Sequence, residues 1–136
     1  MSDRLSLASV NVGDEAPSVT HKLTRTDLVM YAGASGDFNP MHTDEVAAQA
    51  AGLPSVFGHG MFTAGLLATA VTNFVGVGNL KSYRVRFTKQ TWPGEVLTTS
   101  VTVREKRAGN EVVLDCSVVN EQGETKIQGE AVAVLA

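Results

Sequence analysis

The stretch GMFTAGLLATAVTNFV, residues 60–75, carries no charged side chain. Wound as a helix, it makes about four turns. Bulky residues (Phe62, Leu66, Leu67, Val71, Phe74) and small ones together cover every face. No stripe is left for water, so the rest of the chain must enclose the helix. A membrane span needs about 20 apolar residues, and this run is shorter and interrupted by Thr63, Thr69, Thr72 and Asn73. It predicts a buried central helix, which the remaining sequence has to wrap.

The wrapping material follows directly. Tyr83, Val85 and Phe87 alternate with Arg84 and Arg86. Leu97, Thr99, Val101 and Val103 alternate with Thr98, Ser100, Thr102 and Arg104. Two more apolar faces are Val112, Leu114, Cys116, Val118 and then Ile127, Gly129, Ala131, Ala133, Leu135. A period of two is the mark of strands with one buried face. The breaks WPGE, AGN and EQG are turn chemistry. Four strands joined this way predict an antiparallel meander, and SVTHKL, residues 18–23, offers a fifth strand. Upstream, Thr24 and Asp27 predict a capping box opening a helix over RTDLVMYAGAS. TDEVAAQAA predicts another short helix, with Thr43 or Asp44 as its cap and Gly52 as its stop. An apolar helix inside an antiparallel sheet is an α+β layering, and residues 1–136 read as one domain.

Composition excludes several partners. The net charge is −3 with no block of Lys or Arg, so nucleic acid is not expected. No membrane span is expected either. The N-terminal MSDRLSLASVNVGDEAP lacks the apolar core of a signal peptide. The lone Cys116 has no partner for an internal disulfide, which fits a reducing, cytoplasmic setting.

Two short motifs carry chemistry. SGDFNPMH, residues 35–42, sets Asp37 and His42 on the two sides of Asn39-Pro40. As a plain loop, Gly36 supplies conformational freedom, Asp37 and Asn39 bond nearby backbone, and Pro40 fixes the next helix. As a reaction centre, the Asp orients an imidazole or positions a water. The residues alone leave both readings open. These side chains are also metal-ligand types, but no third ligand stands at a helpful spacing, so no metal is expected. FGHGMF, residues 57–62, places His59 between Gly58 and Gly60 at the start of the apolar helix. A helix N-terminus offers free N–H groups and a partial positive charge, so Gly60 suits a developing oxyanion. Alternatively, the glycines merely permit the turn, and His59 is read as packing or bonding locally.

With these motifs in view, YAGASGDFNPMH followed by GHGM, with VRFTKQTWPGEVL farther on, resembles the MaoC-like family of R-specific enoyl hydratases and dehydratases. Within it, the chain is most similar in look to the catalytic subunit of the mycobacterial (3R)-hydroxyacyl-carrier-protein dehydratases. The resemblance implies a hot-dog fold, a helix wrapped by an antiparallel sheet. It implies Asp37 and His42 as a catalytic dyad and the Gly60 amide as oxyanion donor, with Gly36, Asn39, Pro40 and His59 in support. It implies hydration of trans-2-enoyl thioesters, or the reverse dehydration, on an acyl-CoA or acyl-carrier-protein substrate without a cofactor. It also implies a homodimer, or a heterodimer with a related subunit lacking the dyad. Where some relatives carry a Ser, this chain has Ala68. Two rivals are weighed. Hot-dog thioesterases often place an acidic residue on the central helix, and residues 60–75 hold none. A non-catalytic acyl-binding subunit would be expected to have lost the dyad. Lys81, Arg84, Arg86 and Lys89 would suit an acidic carrier, although they read better as ordinary solvated strand positions.

Overall fold

The computed structural model describes residues 5–136; the first four residues of the N-terminal stretch read above for a leader lie outside them. The elements run β1 (Thr20–Lys22), α1 (Arg25–Ser35), α2 (Pro40–Thr43), α3 (Glu45–Ala50), α4 (Gly60–Val75), β2 (Leu80–Phe87), β3 (Val96–Arg107), β4 (Glu111–Val119) and β5 (Thr125–Val134).

α1 begins where its cap predicts. The Asp27 N–H donates to Thr24 Oγ1 at 3.1 Å, and the Thr24 N–H donates to Asp27 Oδ2 at 2.9 Å. Gly36 ends α1 in the left-handed region at φ 77° and donates its N–H to the Ala32 carbonyl, a conformation that costs a residue with a Cβ more. Pro40 opens a helix of its own, α2, ahead of the predicted helix α3. Asn39 caps α2 by accepting the Met41 N–H at 3.1 Å, with Pro40 in its first turn. α3 is capped by Asp44, not Thr43: Asp44 Oδ1 accepts the Ala47 N–H at 3.1 Å.

α4 spans the predicted residues and is the rod of the core. Leu67, Val71 and Val75 are fully buried. They belong to one cluster with Leu97, Val101 and Val103 of β3, Leu114 and Val118 of β4, and Ile127, Ala131 and Ala133 of β5. Burying each of the larger side chains contributes roughly 1.5–3 kcal/mol. Tyr83 reaches in from β2 and donates its hydroxyl to the Ala64 carbonyl at 2.7 Å.

The strand order corrects the predicted four-strand meander. The sheet runs β1-β3-β4-β5-β2, all antiparallel. Only β3, β4 and β5 form hairpins in sequence. β2 leaves α4 beside the end of β5, where the Val134 N–H donates to the Asn79 carbonyl at 2.9 Å, and it pairs there. Residues 88–95, including the WPGE read as a hairpin turn, instead cross to the opposite edge. On the way the Thr91 carbonyl accepts the Gly58 N–H at 2.8 Å and the Gly94 N–H donates to the Leu23 carbonyl at 2.7 Å. Phe87, expected to share the inward face of Tyr83 and Val85, is half exposed because it lies over Gly60 at the helix start. No helix among the described residues is long and apolar enough to cross a membrane.

Candidate functional site

The turn from α1 to α2 brings Asp37 and His42 together. Asp37 Oδ1 accepts the Asn39 N–H at 3.3 Å, so the residue does shape its own loop. Its other oxygen, Oδ2, lies 3.9 Å from His42 Nε2. That is beyond a direct hydrogen bond, but an oxygen about 2.8 Å from both atoms fits across the gap. The Asp37 side chain is 52% exposed and that of His42 only 9%.

The His42 tautomer is set by its surroundings. Nδ1 lies 2.7 Å from the Phe57 carbonyl. A carbonyl only accepts, so Nδ1 carries the hydrogen and Nε2 presents its lone pair toward Asp37 when the ring is neutral. The Phe57 N–H in turn donates to the Met41 carbonyl at 3.1 Å. The two motifs, 15 residues apart at this bond, are thereby stitched into one site.

His59 joins them. It is 2% exposed, and its ring stacks on His42 with centroids 3.9 Å apart and planes 26° apart. Its Nε2 lies 3.1 Å from the Asp37 carbonyl. This corrects the expectation that Asp37 and His42 have no third metal-ligand type beside them: Asp37, His42 and His59 offer ligand atoms within 4.8 Å of one another. The stacking argues against chelation. An imidazole binds a metal in its own ring plane, at about 2.0–2.1 Å, and two nearly parallel planes 3.9 Å apart do not converge on one ion.

Gly60 opens α4, and among the described residues its N–H has no acceptor. Neither Gly58 nor Gly60 has a positive φ, so the requirement for glycine here is space rather than conformation. A Cβ on Gly60 would stand 2.9 Å from the Phe87 ring, and one on Gly58 would collide with the Thr91 side chain. Both glycines line a cleft of about 340 Å³ with Phe57, Thr63, Phe87 and Lys126. Asp37 and His42 are not part of that lining. Phe57, edge-on to His42 with centroids 4.9 Å apart, stands at the boundary.

Two features of the cleft escaped the sequence reading. Lys126 is 3% exposed, donating to the Gln90 carbonyl at 2.9 Å and facing Glu95 Oε2 at 3.0 Å. It lies between Thr125 and Ile127 on a strand, where alternation alone predicts an outward side chain. Thr63 Oγ1 is buried and unpartnered. The surface cations considered for an acidic carrier are mostly neutralised. Lys81 pairs with Glu111, Arg84 with Glu130 at 3.3 Å and Lys89 with Glu124 at 3.0 Å. Arg86 alone of the four has no ion pair among the described residues.

A profile of the MaoC like domain matches residues 10–124. The chain is 40% identical to 3-hydroxyacyl-thioester dehydratase Y of Mycobacterium tuberculosis over 82 residues, 57% of this chain and 28% of that protein. It is 32% identical to the probable enoyl-CoA hydratase 2 of Dictyostelium discoideum over 93 residues, 65% of this chain and 32% of that protein. It thus spans less than a third of either curated relative. Among solved structures, the unliganded R-hydratase PhaJ1 of Pseudomonas aeruginosa superposes with a TM-score of 0.89 at 28% identity, covering 97% of this chain and 86% of that one. The helix wrapped by its sheet is the hot-dog fold, as the resemblance implied. With the profile running from before β1 to the turn ahead of β5 and across both site motifs, the chain belongs to the family of MaoC-like domains.

Proposed function

We propose that this chain is a hydro-lyase, adding water to trans-2-enoyl thioesters and, in reverse, dehydrating (3R)-3-hydroxyacyl thioesters in fatty-acid metabolism. The observation that carries this reading is the Asp37 carboxylate 3.9 Å from a His42 Nε2 whose protonation pattern Phe57 fixes, with the His42 ring stacked on His59, the residue before the Gly60 N–H. The hydratases and dehydratases among its relatives support it.

The thioester carbonyl accepts the Gly60 N–H, supported by the partial positive charge of the sixteen-residue α4. Electron density leaves C3, which becomes electrophilic. A water held between Asp37 and His42 adds its oxygen to C3, and the proton it gives up passes to the dyad. A proton is then delivered to C2 as the enolate collapses. Dehydration runs the same steps backward. A single acid/base pair on one side of the substrate suits syn addition and a (3R) product.

The substrate channel is completed by a second hot-dog subunit, identical or homologous. β2 is an edge strand paired only with β5, and an open edge invites pairing. Phe38 and Met61, which lie within the motifs, and Phe87, which lies over Gly60, are 66%, 61% and 51% exposed, which suits a covering surface. The carrier is coenzyme A or an acyl carrier protein; three of the four candidate cations are already paired, which leaves Arg86 to meet the phosphates of the one or the acidic surface of the other. A cytoplasmic setting agrees with Cys116, a buried thiol whose pKa burial pushes up to about 12.

A panel of 2-enoyl-CoA esters of rising chain length tests the reading, with light scattering on the same sample. Hydration by a species of at least twice the 14.3 kDa chain mass is expected. A stable, fully active monomer contradicts the assembly, and no turnover of any ester, alone or with a homologous subunit, contradicts the activity.

A further inference from the structure

His59 occupies the junction between the two halves of the site. It immediately precedes Gly60 and is the N-cap residue of α4, yet its side chain makes no capping bond. The ring is turned instead to the Asp37 carbonyl, 3.1 Å from Nε2. Since that oxygen only accepts, Nε2 carries the hydrogen. Nδ1 is then a bare acceptor, and it is buried without a partner. A core histidine placed for packing alone would be expected to satisfy both nitrogens.

The bond matters because of what else holds the Asp37 loop. Gly36 bonds to Ala32, Asp37 N–H to Ser35, Asn39 N–H to Asp37, and His42 and Met41 N–H to Asn39. Among the described residues, every hydrogen bond of residues 36–39 other than the one to His59 stays within residues 32–42. The His59 bond is therefore the loop's one hydrogen-bonded attachment to the rest of the molecule. The same ring forms a flat floor under His42, 3.9 Å away, and Tyr31 closes its surroundings with ring centroids 4.9 Å apart.

We propose that His59 is a positioning residue: by donating Nε2–H to the Asp37 carbonyl beneath the His42 ring, it fixes the acid/base pair relative to the Gly60 amide. The proposal rests on the hydratase reading above. It predicts an effect on turnover rather than binding, because misplacing a reacting group by about 1 Å costs on the order of 100-fold in rate.

Two variants separate the bond from the ring. His59→Phe keeps a flat ring and loses the donor. It should lower kcat by about 10- to 100-fold with KM nearly unchanged and Tm not lowered, since the orphaned nitrogen goes too. His59→Gln keeps a donor and should recover most of that loss. A folded His59→Phe protein with wild-type kcat overturns the proposal, as do Phe and Gln variants that are equally impaired. Nitrogen-15 spectra of the ring nitrogens provide a readout independent of turnover. The chain has 3 histidines, and His59 should show the Nε2–H tautomer while His42 shows Nδ1–H. A Nδ1–H tautomer at His59 overturns the tether. If the wild type shows the expected tautomers but hydrates nothing, the hydratase reading fails, and the catalytic role of His59 with it.

Discussion

The cleft and the motifs beside it hold two sets of polar groups that are treated in opposite ways. At one side, Lys126 is locked into a closed network. Its ammonium meets Glu95 and the Gln90 carbonyl, and Asn120 Nδ2 donates to Glu95 at 2.7 Å and to Glu124 at 2.8 Å. This network pins the crossing segment 88–95 whose Thr91 carbonyl holds Gly58. At the other side, His42 Nε2 stops 3.9 Å short of Asp37, His59 Nδ1 and Thr63 Oγ1 have no partner, and the Gly60 N–H is free. Burying polar groups without partners is costly. The chain satisfies them around the crossing segment and leaves them without partners around the two motifs. Mutations at the two sides should therefore separate stability from activity.

The largest effect belongs to the open side. His42→Ala should lower kcat for a short enoyl-CoA by about 10²–10⁴, with the circular dichroism spectrum unchanged. Combining it with Asp37→Asn should add little, because residues acting as one unit are not additive. Multiplicative losses would mean that the two act separately.

Next is Gly60→Pro. Proline is favoured in the first turn of a helix, and His59 already has φ −62° and ψ 130°, suited to precede it. The substitution removes the N–H and requires only that the half-exposed Phe87 ring swing aside. The expected loss is about 2.7–4 kcal/mol of transition-state stabilisation. An unchanged rate in the folded variant would move the carbonyl's donor elsewhere.

On the closed side, Lys126→Met removes the cationic partner of the Glu95 carboxylate, whose side chain is 13% exposed, and leaves it only the Asn120 and Trp92 donors. Breaking one half of such a pair should cost about 3–5 kcal/mol of stability. Adding Glu95→Gln should return part of it, and urea denaturation measures both. Equal stability of the single and double variants would show that Lys126 is not held mainly by Glu95.

The smallest effect is expected at Thr63. Thr63→Val keeps the shape and removes a buried hydroxyl that bonds to nothing, so it should raise stability by about 1 kcal/mol. A clear loss would reveal a partner for that hydroxyl.

The central helix was legible because its lack of charge over residues 60–75 permits little else. The strand faces were legible because Leu97, Thr99, Val101 and Val103 alternate without interruption, and all four are buried. The strand order was not, since alternation says nothing about which edges meet, and WPGE reads the same in a hairpin and in a crossing. The nearness of Asp37 and His42 was an expectation of the family resemblance, since their spacing alone reads equally well as a plain loop. The bond from His59 to Asp37 was not legible, because a bond to a backbone carbonyl 22 residues away leaves no pattern in the sequence. Lys126 was hidden for a similar reason: its partners Glu95 and Gln90 come from a segment whose path the sequence does not mark.

The most direct test follows the enoyl absorbance of crotonyl-CoA with the purified wild-type chain and with Asp37→Asn, and determines the configuration of the product. The account predicts rapid loss of absorbance, a (3R)-3-hydroxybutyryl thioester, and a rate at least about 100-fold lower in the variant. A (3S) product, or equal rates in the two proteins, would contradict it.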